Sequence, residues 1–315
     1  MSKRILTLTV NPALDRIITV DRLVFEDRAY IESTTEAAGG RGINAARVLT
    51  SFGAPVTAIT TTSAEEIGRE FEKHLEEDSF EKELVPIRSH LRINLTISDH
   101  QGLSVKLNEL GPSLTDAEQN SILKAVEKLL PSASWIMLCG SLPPGIDAHL
   151  YTKLIKLSAR HKVETLLDTD GDPLLHGLEA KPTIVKPNQS EAERLLNTAL
   201  ITRSQLIEAV QKIKSLGPKS VVLSLGSRGV MAATTSEGIL EVLPPVVDAV
   251  CPIGAGDAMS AAIVWSLERG DSFGEALRWG VAAGTASAKL PGITLANLEQ
   301  SKEIYNLTQM TRIVV

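Results

Sequence analysis

The sequence predicts an α/β fold in which helices flank both faces of a mostly parallel central sheet, with a small β-sheet beside it. Short β-rich runs alternate with longer helical patterns over residues 5–224, an order typical of parallel sheets. A hairpin-like stretch at 230–242 then leads into three successive helical segments. Two segments, approximately 15–35 and 90–110, alternate apolar and polar residues without a crossover helix. That period indicates strands with one solvated face, unlike a buried parallel sheet.

The sequence pattern of each segment predicts an individual strand or helix. Six β-rich runs are predicted as strands of the central sheet: 5–9, 56–60, 135–139, 164–168, 183–186 and 221–224. Nine stretches of helical periodicity are predicted as helices: 43–52, 64–77, 116–130, 150–161, 190–196, 204–216, 257–269, 272–290 and 295–307. We expect residues 1–315 to form one domain into which segments 15–35 and 90–110 are inserted as a lid. A flap packed on the core would give the same pattern.

Composition narrows the function classes. The chain has 315 residues, of which 43% are hydrophobic, enough to bury a large core. With 38 acidic and 32 basic residues, the net charge of -6 argues against nucleic acid or an anionic membrane as a partner. Cys139 and Cys251 lack the spacing of a zinc site or a disulfide scaffold. No run of about 18 apolar residues occurs, so we expect a cytoplasmic protein.

A Pro-Ile-Gly-Ala-Gly-Asp run that opens a late helix is the most informative motif. Gly254 and Gly256 let the backbone approach a ligand closely, and amides at a helix start bind anions. Asp257 is then either a helix-capping carboxylate or the base that accepts a proton from an attacking hydroxyl in phosphoryl transfer. The motif alone leaves both interpretations open.

Polar loops follow several predicted strands, at the edge where open parallel sheets bind their ligands. These loops contain Ser141, residues 186–191 and residues 224–229. Asn188 and Glu191 have the spacing of a helix capping box, and their oxygens would equally suit Mg2+ held largely through waters.

The run Gly40-x-Gly42-x-x-Ala45 satisfies the dinucleotide-binding fingerprint. The fingerprint requires an apolar strand before it, and residues 32–37 are too polar for a buried parallel strand. An NAD-dependent enzyme is therefore a weak alternative. The glycines suit a polyhydroxylated ligand lying against the backbone, with Asn44 offering a donor and an acceptor to its hydroxyls.

Four further charged residues have two interpretations each. Asp15 follows the first predicted strand and is either a turn aspartate or an acceptor for two vicinal hydroxyls. Arg28, Arg92 and Lys106 lie on the two alternating segments, and each alone is typical of a solvated surface cation. Three cations on an acidic protein would, however, suit a phosphorylated ligand.

Four motifs in order, at 38–44, 186–191, 224–226 and 254–257, resemble those of the ribokinase-like sugar kinases. The resemblance runs nearly end to end. It extends to the phosphofructokinase B branch, which includes 1-phosphofructokinases, 6-phosphofructokinases and tagatose-6-phosphate kinases, because residues 7–15 and 140–143 are also similar to that branch.

The resemblance implies a role for each matching residue. Catalysis would fall to Asp257 as the base, with an anion hole formed by the amides of Gly254, Ala255 and Gly256. The sugar would bind at Asp15, Gly39, Gly40 and Asn44. Its phosphate would lie near Arg92, Lys106, Ser141 and Arg28, the last delivered from a neighbouring subunit through paired lids. ATP would bind at Lys186, Asn188, Ser224, Gly226, Gly229, Ala283 and Gly284, and Mg2+ at Asn188 and Glu191.

The resemblance thus implies a homodimer that phosphorylates a ketohexose monophosphate with ATP and Mg2+, giving fructose 1,6-bisphosphate from fructose 1-phosphate or fructose 6-phosphate. Pro252 departs from the family pattern, because many relatives have Thr there; tagatose-6-phosphate kinases are similar to this chain at that point. Residues 107–112 also resemble the tagatose and 1-phosphofructose enzymes, whereas Lys106 and Arg28 agree better with a 6-phosphofructokinase. A tagatose-6-phosphate kinase and a non-catalytic nucleotide-binding sensor are the alternatives.

Overall fold

The structure is a computed structural model that describes residues 3–24 and 26–314. Phe25, which falls within the predicted lid segment 15–35, lies outside the described residues, as do the ends of the predicted domain 1–315. The strands are β1 (Arg4–Thr9), β2 (Ala13–Val20), β3 (Ile31–Gly39), β4 (Val56–Ser63), β5 (Glu81–Ile87), β6 (Arg92–Asp99), β7 (Ser104–Asn108), β8 (Ala133–Cys139), β9 (Glu164–Asp168), β10 (Ile184–Val185), β11 (Ser220–Ser224), β12 (Val230–Thr234), β13 (Gly238–Leu243) and β14 (Gln309–Ile313). The helices are α1 (Arg41–Ser51), α2 (Glu66–Glu76), α3 (Asp116–Leu129), α4 (Leu150–Arg160), α5 (Gly171–Glu179), α6 (Gln189–Leu196), α7 (Arg203–Ser215), α8 (Ala255–Glu268), α9 (Phe273–Ala288) and α10 (Leu298–Tyr305).

A ten-stranded sheet forms the centre of the molecule, in the order β14-β13-β12-β11-β10-β9-β8-β1-β4-β5. The strands from β11 to β5 pair in parallel, and β12, β13 and β14 extend the sheet in antiparallel fashion. The chain runs outward from β1 through β4 and β5, then returns to β8 on the other side of β1. This reversal is a topological switch point, and open sheets bind ligands at the carboxyl ends of the strands there. The predicted mostly parallel α/β fold is confirmed.

Burial explains why the sequence predicts the strands at the centre of the large sheet. All residues of β4 are buried, as are Ile5–Thr9 of β1, because helices cover both faces of the sheet. Three elements were not predicted: β5, α5 and β14. The edge strands β5 and β14 are only partly buried or exposed and need no apolar run, and α5 carries a glycine and a proline in its first turn. Within the described residues, no helix combines the length and hydrophobicity needed to span a membrane.

A separate four-stranded sheet has the order β3-β2-β6-β7, which confirms the small second sheet. Residues 32–37 form a strand after all, within β3, but an antiparallel edge strand that is exposed over its first five residues. An edge strand tolerates polar residues that a buried parallel strand would not. The small sheet therefore continues past the predicted limit at residue 35 and reaches α1 directly at Gly39 and Gly40.

Candidate active site

Helix α8 begins at the predicted glycine-rich run. Gly254 has φ 76°, a left-handed conformation that favours glycine, and a Cβ there would lie 2.6 Å from Cδ2 of Leu295. The first amides of a helix have no intrahelical acceptor and attract anions. The Ala255 amide donates to the carbonyl oxygen of Pro252 at 3.3 Å, so Pro252 engages one of the predicted anion-hole donors.

Asp257 lies in the first turn of α8 and is half-buried. Its Oδ2 accepts a hydrogen bond from Nδ2 of Asn44 at 2.8 Å, and Arg47 donates to Oδ1 of Asn44 at 3.3 Å, which orients the amide. Burial raises the pKa of Asp257 to about 6, and the negative charge of Asp168 adds to the rise. A carboxylate of this pKa is ionised at pH 7 and is a better proton acceptor than an ordinary aspartate.

Asp168, at the end of β9, holds together a cluster of charges beneath α8. Its side chain is 3% exposed, and its carboxylate pairs with Nζ of Lys186 at 3.0 Å and Nη1 of Arg41 at 3.0 Å. Ser260 of α8 donates to Oδ2 of Asp168 at 2.9 Å. Although burial opposes ionisation, the charges of Lys186 and Arg41 hold the pKa of Asp168 below its ordinary value. Lys186 also faces the start of α8, since its Nζ lies 3.7 Å from where a Cβ on Gly256 would be.

Asp15 lies inside β2 rather than in a turn, so the turn interpretation of this residue is wrong. Nδ2 of Asn94 donates to Oδ1 of Asp15 at 2.8 Å. Burial raises the pKa of Asp15, while the hydrogen bond from Asn94 and the charge of Arg92 oppose the rise. A Cβ on Gly39 would lie 2.0 Å from Oδ2 of Asp15, so only glycine fits beside this carboxylate. Gly40, at φ 141°, likewise leaves no room for a side chain against Thr9.

Several buried polar atoms of β1, β6 and the loop after β1 have no hydrogen-bond partner within the described chain. They are Oγ1 of Thr9, Oδ1 of Asn11, Oδ1 of Asn94 and Nε of Arg92. The last two belong to side chains that interact with Asp15. Buried polar groups are nearly always satisfied, so these two atoms suit a ligand that carries several hydroxyls.

The predicted phosphate-binding cations differ in their surroundings. Arg92 is half-buried and donates to the carbonyl oxygens of Glu109 at 3.0 Å and Asn11 at 2.9 Å, which fixes it beside Asp15. Lys106 is exposed on β7, on the face that carries Arg92 and Asp15, because these positions share strand parity through the paired registers. Arg28 is exposed in the loop after β2, at the opposite end of that strand from Asp15.

Ser141 lies in the loop after β8, within reach of the same group. Its Oγ is 3.4 Å from Nδ2 of Asn11, the residue whose carbonyl oxygen anchors Arg92. The loop after the first strand and the loop after β8 therefore meet at the switch point, as their positions at strand ends predict.

Asn188 and Glu191 form the capping box of α6. The Glu191 amide donates to Oδ1 of Asn188 at 2.9 Å, and the Asn188 amide donates to Oε2 of Glu191 at 2.8 Å. The other carboxylate oxygen of Glu191, Oε1, lies outside the cap and 3.5 Å from Nη2 of Arg41, so binding of Mg2+ there stays a prediction. Thr115 and Glu118 form the same kind of capping box at the start of α3.

The remaining nucleotide-site predictions fall on two elements. Ser224 ends β11 and bridges to Asn188, and Gly226 and Gly229 follow with φ values of 61° and 81°. Ala283 and Gly284 lie in α9 and are buried, and a Cβ on Gly284 would lie 2.9 Å from the carbonyl oxygen of Ala255. This close approach gives Gly284 a packing role against α8, and the contact of both residues with adenine stays a prediction.

Two residues at the centre of the site were not singled out from the sequence, Asp168 and Arg41. Both carried a signal. Asp168 is a carboxylate at the end of a predicted buried strand, and Arg41 is a cation inside a glycine-rich helix start. Their partners are Lys186, which follows β10, Glu191 of α6 and Ser260 of α8. These residues lie far along the chain, so their pairing required the tertiary structure.

Known proteins are similar to this chain over nearly its whole length. Residues 9–300 match the family described as pfkB family carbohydrate kinase. The chain is 27% identical over 314 residues to a 1-phosphofructokinase of Vibrio cholerae, covering 99% of this chain and 98% of the relative. It is 31% identical over 306 residues to the ATP-dependent 6-phosphofructokinase isozyme 2 of Mycobacterium tuberculosis, covering 96% of this chain and 89% of the relative.

Solved structures agree with these relatives. Phosphofructokinase-2 of Escherichia coli in complex with fructose-6-phosphate has a TM-score of 0.89 at 29% identity, over 97% of this chain and 99% of that one; a tetrameric inhibited form is also known, with the same score and coverage. Arabidopsis thaliana ribokinase, with ribose and ATP, has a TM-score of 0.77 at 20% identity over 97% and 99%, and shares the fold. The NAD-dependent alternative is therefore wrong. This protein is a carbohydrate kinase that transfers a phosphoryl group to an alcohol, and it belongs to the pfkB family.

Proposed function

We propose that the protein is an ATP- and Mg2+-dependent phosphofructokinase that converts fructose 1-phosphate or fructose 6-phosphate to fructose 1,6-bisphosphate. The observation that carries the proposal is a carboxylate of raised pKa in the first turn of a helix, Asp257, which is joined through Asn44 to the glycine-rich turn beside Asp15. Relatives named for both reactions match nearly the whole chain.

In the proposed reaction, Asp257 accepts the proton of the attacking sugar hydroxyl as that oxygen bonds to the γ-phosphorus of ATP and the bond from phosphorus to the β-phosphate oxygen breaks. The α8 amides and Lys186 would stabilise the negative charge on the transferring group, as expected of preorganised donors at a helix start. A positioned base contributes about 10²- to 10⁴-fold in rate, which makes Asp257 the most sensitive position.

A phosphorylated sugar is favoured over a plain one by the cations on the small sheet. Arg92 and Lys106 share the face of Asp15, and a guanidinium can bind phosphate through two parallel hydrogen bonds. An unphosphorylated sugar would need neither cation. Tagatose 6-phosphate is the alternative acceptor, because Pro252 and residues 107–112 resemble the corresponding residues of tagatose-6-phosphate kinases.

The donor set fits Mg2+, a hard cation that prefers carboxylate oxygens and keeps several waters. Glu191 would contribute Oε1, the oxygen outside the capping box, and Asn188 would act beside it at the start of α6. When bound, Mg2+ would neutralise phosphate charge during transfer. ATP would lie between α8 and the glycine-containing loop after β11.

A homodimer through the small sheet is proposed from the face opposite Asp15. Ile18, Leu95, Ile97, Val105 and Leu107 share that face by register, and Val105 and Leu107 are 41% and 52% exposed. Exposed apolar patches of this kind mark protein interfaces. A partner copy would also bring its Arg28 near the sugar. A cytoplasmic location stays a prediction.

A coupled assay with fructose 1-phosphate, fructose 6-phosphate, tagatose 6-phosphate and ribose tests the proposal, with kcat/KM as the readout. One of the two fructose phosphates should be preferred. Asp257→Asn should lose about 10²-fold or more in kcat while still binding ATP, and Asp248→Asn, an exposed carboxylate before α8, is the matched control. A preference for ribose would overturn the phosphosugar proposal, and a preference for tagatose 6-phosphate would select the alternative.

A further inference from the structure

One cation in the structure faces three carboxylates. Arg41, the first residue of α1, places Nη1 3.0 Å from Oδ1 of Asp168, and places Nη2 3.5 Å from Oε1 of Glu191 and 3.8 Å from Oδ2 of Asp170. Lys186 pairs only with Asp168 in this group. The cluster thus sets two positive charges against three negative ones, so Arg41 is its main counter-charge.

The two arms of the Arg41 guanidinium are held differently. The Nη1 arm makes a hydrogen bond of ordinary length to a carboxylate that is 3% exposed, whereas the Nη2 arm makes two long contacts. Oε2 of Glu191 is already fixed in the α6 cap, and Oε1 is the oxygen that faces Nη2. The Nη2 arm can therefore leave Glu191 and Asp170 while the Nη1 arm stays bound.

Space for another cation lies beside that arm. A cavity of about 480 Å³ is lined by Asp170, Asp172, Glu191 and Arg194, among other residues. Liquid water takes about 30 Å³ per molecule, so a cation with several waters fits in this volume. The carboxylate oxygens that Nη2 faces are also the donors that a hard divalent cation prefers.

We propose that Arg41 competes with a divalent cation for Glu191 and Asp170, so that metal binding displaces the Nη2 arm from these carboxylates. The inference rests on the proposed metal dependence and adds a residue that sets the metal affinity. Arg41 is a positioning residue here: its guanidinium lies between these carboxylates in the metal-free enzyme, and the ion must overcome its charge to bind.

The test measures Mn2+ binding to the purified full chain by electron paramagnetic resonance, without nucleotide or sugar. Arg41→Gln should bind Mn2+ about tenfold more tightly than the unchanged protein, because a positive charge leaves a half-buried carboxylate cluster. Arg41→Lys is the second variant, since an ammonium can keep the Asp168 pair but cannot reach two further carboxylates as a planar fork does. It should bind Mn2+ about threefold more tightly and retain the fold.

Arg194→Gln is the matched control, because Arg194 is exposed on the same cavity and makes no ion pair with these carboxylates in the described chain. Its Mn2+ affinity should change by about twofold at most. Unchanged or weaker Mn2+ binding in both Arg41 variants overturns the proposal. So does an equal gain in Arg194→Gln, or no Mn2+ binding by any of these proteins. If the enzyme phosphorylates a fructose phosphate but the Arg41 variants do not bind Mn2+ more tightly, the proposed function stands and the proposed competition fails. If the variants bind Mn2+ more tightly but no fructose phosphate is phosphorylated, the competition stands and the proposed function fails.

Discussion

The protonation state of one residue, Asp257, should set the acid limit of activity. Burial holds its pKa at about 6, above the ordinary 3.8, and a base must be ionised to accept a proton. We therefore expect kcat/KM to be constant near neutral pH and to fall as pH drops through about 6. The measurement is kcat/KM across this range with saturating ATP. An acid limit near pH 4 would contradict the assignment of Asp257 as the buried base.

Gly39 provides a second prediction at this scale. Its missing side chain makes room for the Asp15 carboxylate, since a Cβ would lie 2.0 Å from Oδ2. Gly39→Ala should displace Asp15 and raise the KM for the phosphosugar about tenfold, while the KM for ATP changes little. Gly53→Ala is the control, because Gly53 has a positive φ but open space around it. If both variants raise the sugar KM equally, a general loss of stability and not the contact with Asp15 explains the effect.

Helix α6 combines structural and proposed ligand-binding roles at the element scale. The Asn188 capping box has a matched counterpart at the start of α10, where Asn297 and Gln300, which are not predicted ligand-binding residues, form the same reciprocal bonds. Asn188→Ala and Asn297→Ala should each lower the free energy of unfolding by about 0.5–2 kcal/mol. Only Asn188→Ala should also raise the KM for ATP. Equal ATP kinetics in both variants would reduce Asn188 to a helix cap.

The elements that could be read from sequence were those whose burial imposed a pattern. The strand at 164–168 was predicted with its observed bounds, because every residue from Thr165 to Asp168 is buried. Strands β5 and β14 were missed because edge strands carry no such constraint. Strand β3 was judged too polar, since its role as an antiparallel edge depends on pairing with β2.

The small sheet belongs to the scale of the whole molecule, since Val105 and Leu107 on its apolar face are exposed in the single chain and would be covered in the proposed dimer. Leu107→Asp should convert the proposed dimer to a monomer, because a charge in an apolar interface is costly to bury. It should also raise the phosphosugar KM, as a partner's Arg28 would be lost. Sedimentation velocity gives the readout. Ile201→Asp, at a residue 77% exposed before α7, is the control. A monomeric unchanged protein would contradict the dimer proposal.

The sequence by itself determined the α/β class, the order of most elements and the glycine motifs, because burial period and backbone geometry are local properties. It could not decide whether Asp257 was a cap or a buried base. That choice depends on two residues that only the fold brings to Asp257. Asn44, 213 residues earlier in the chain, donates a hydrogen bond to its carboxylate, and Asp168, at the end of β9, raises its pKa. The Arg41 cluster was hidden for the same reason: electrostatic pairing is set by distance in space, and its members come from the start of α1, the end of β9 and α6.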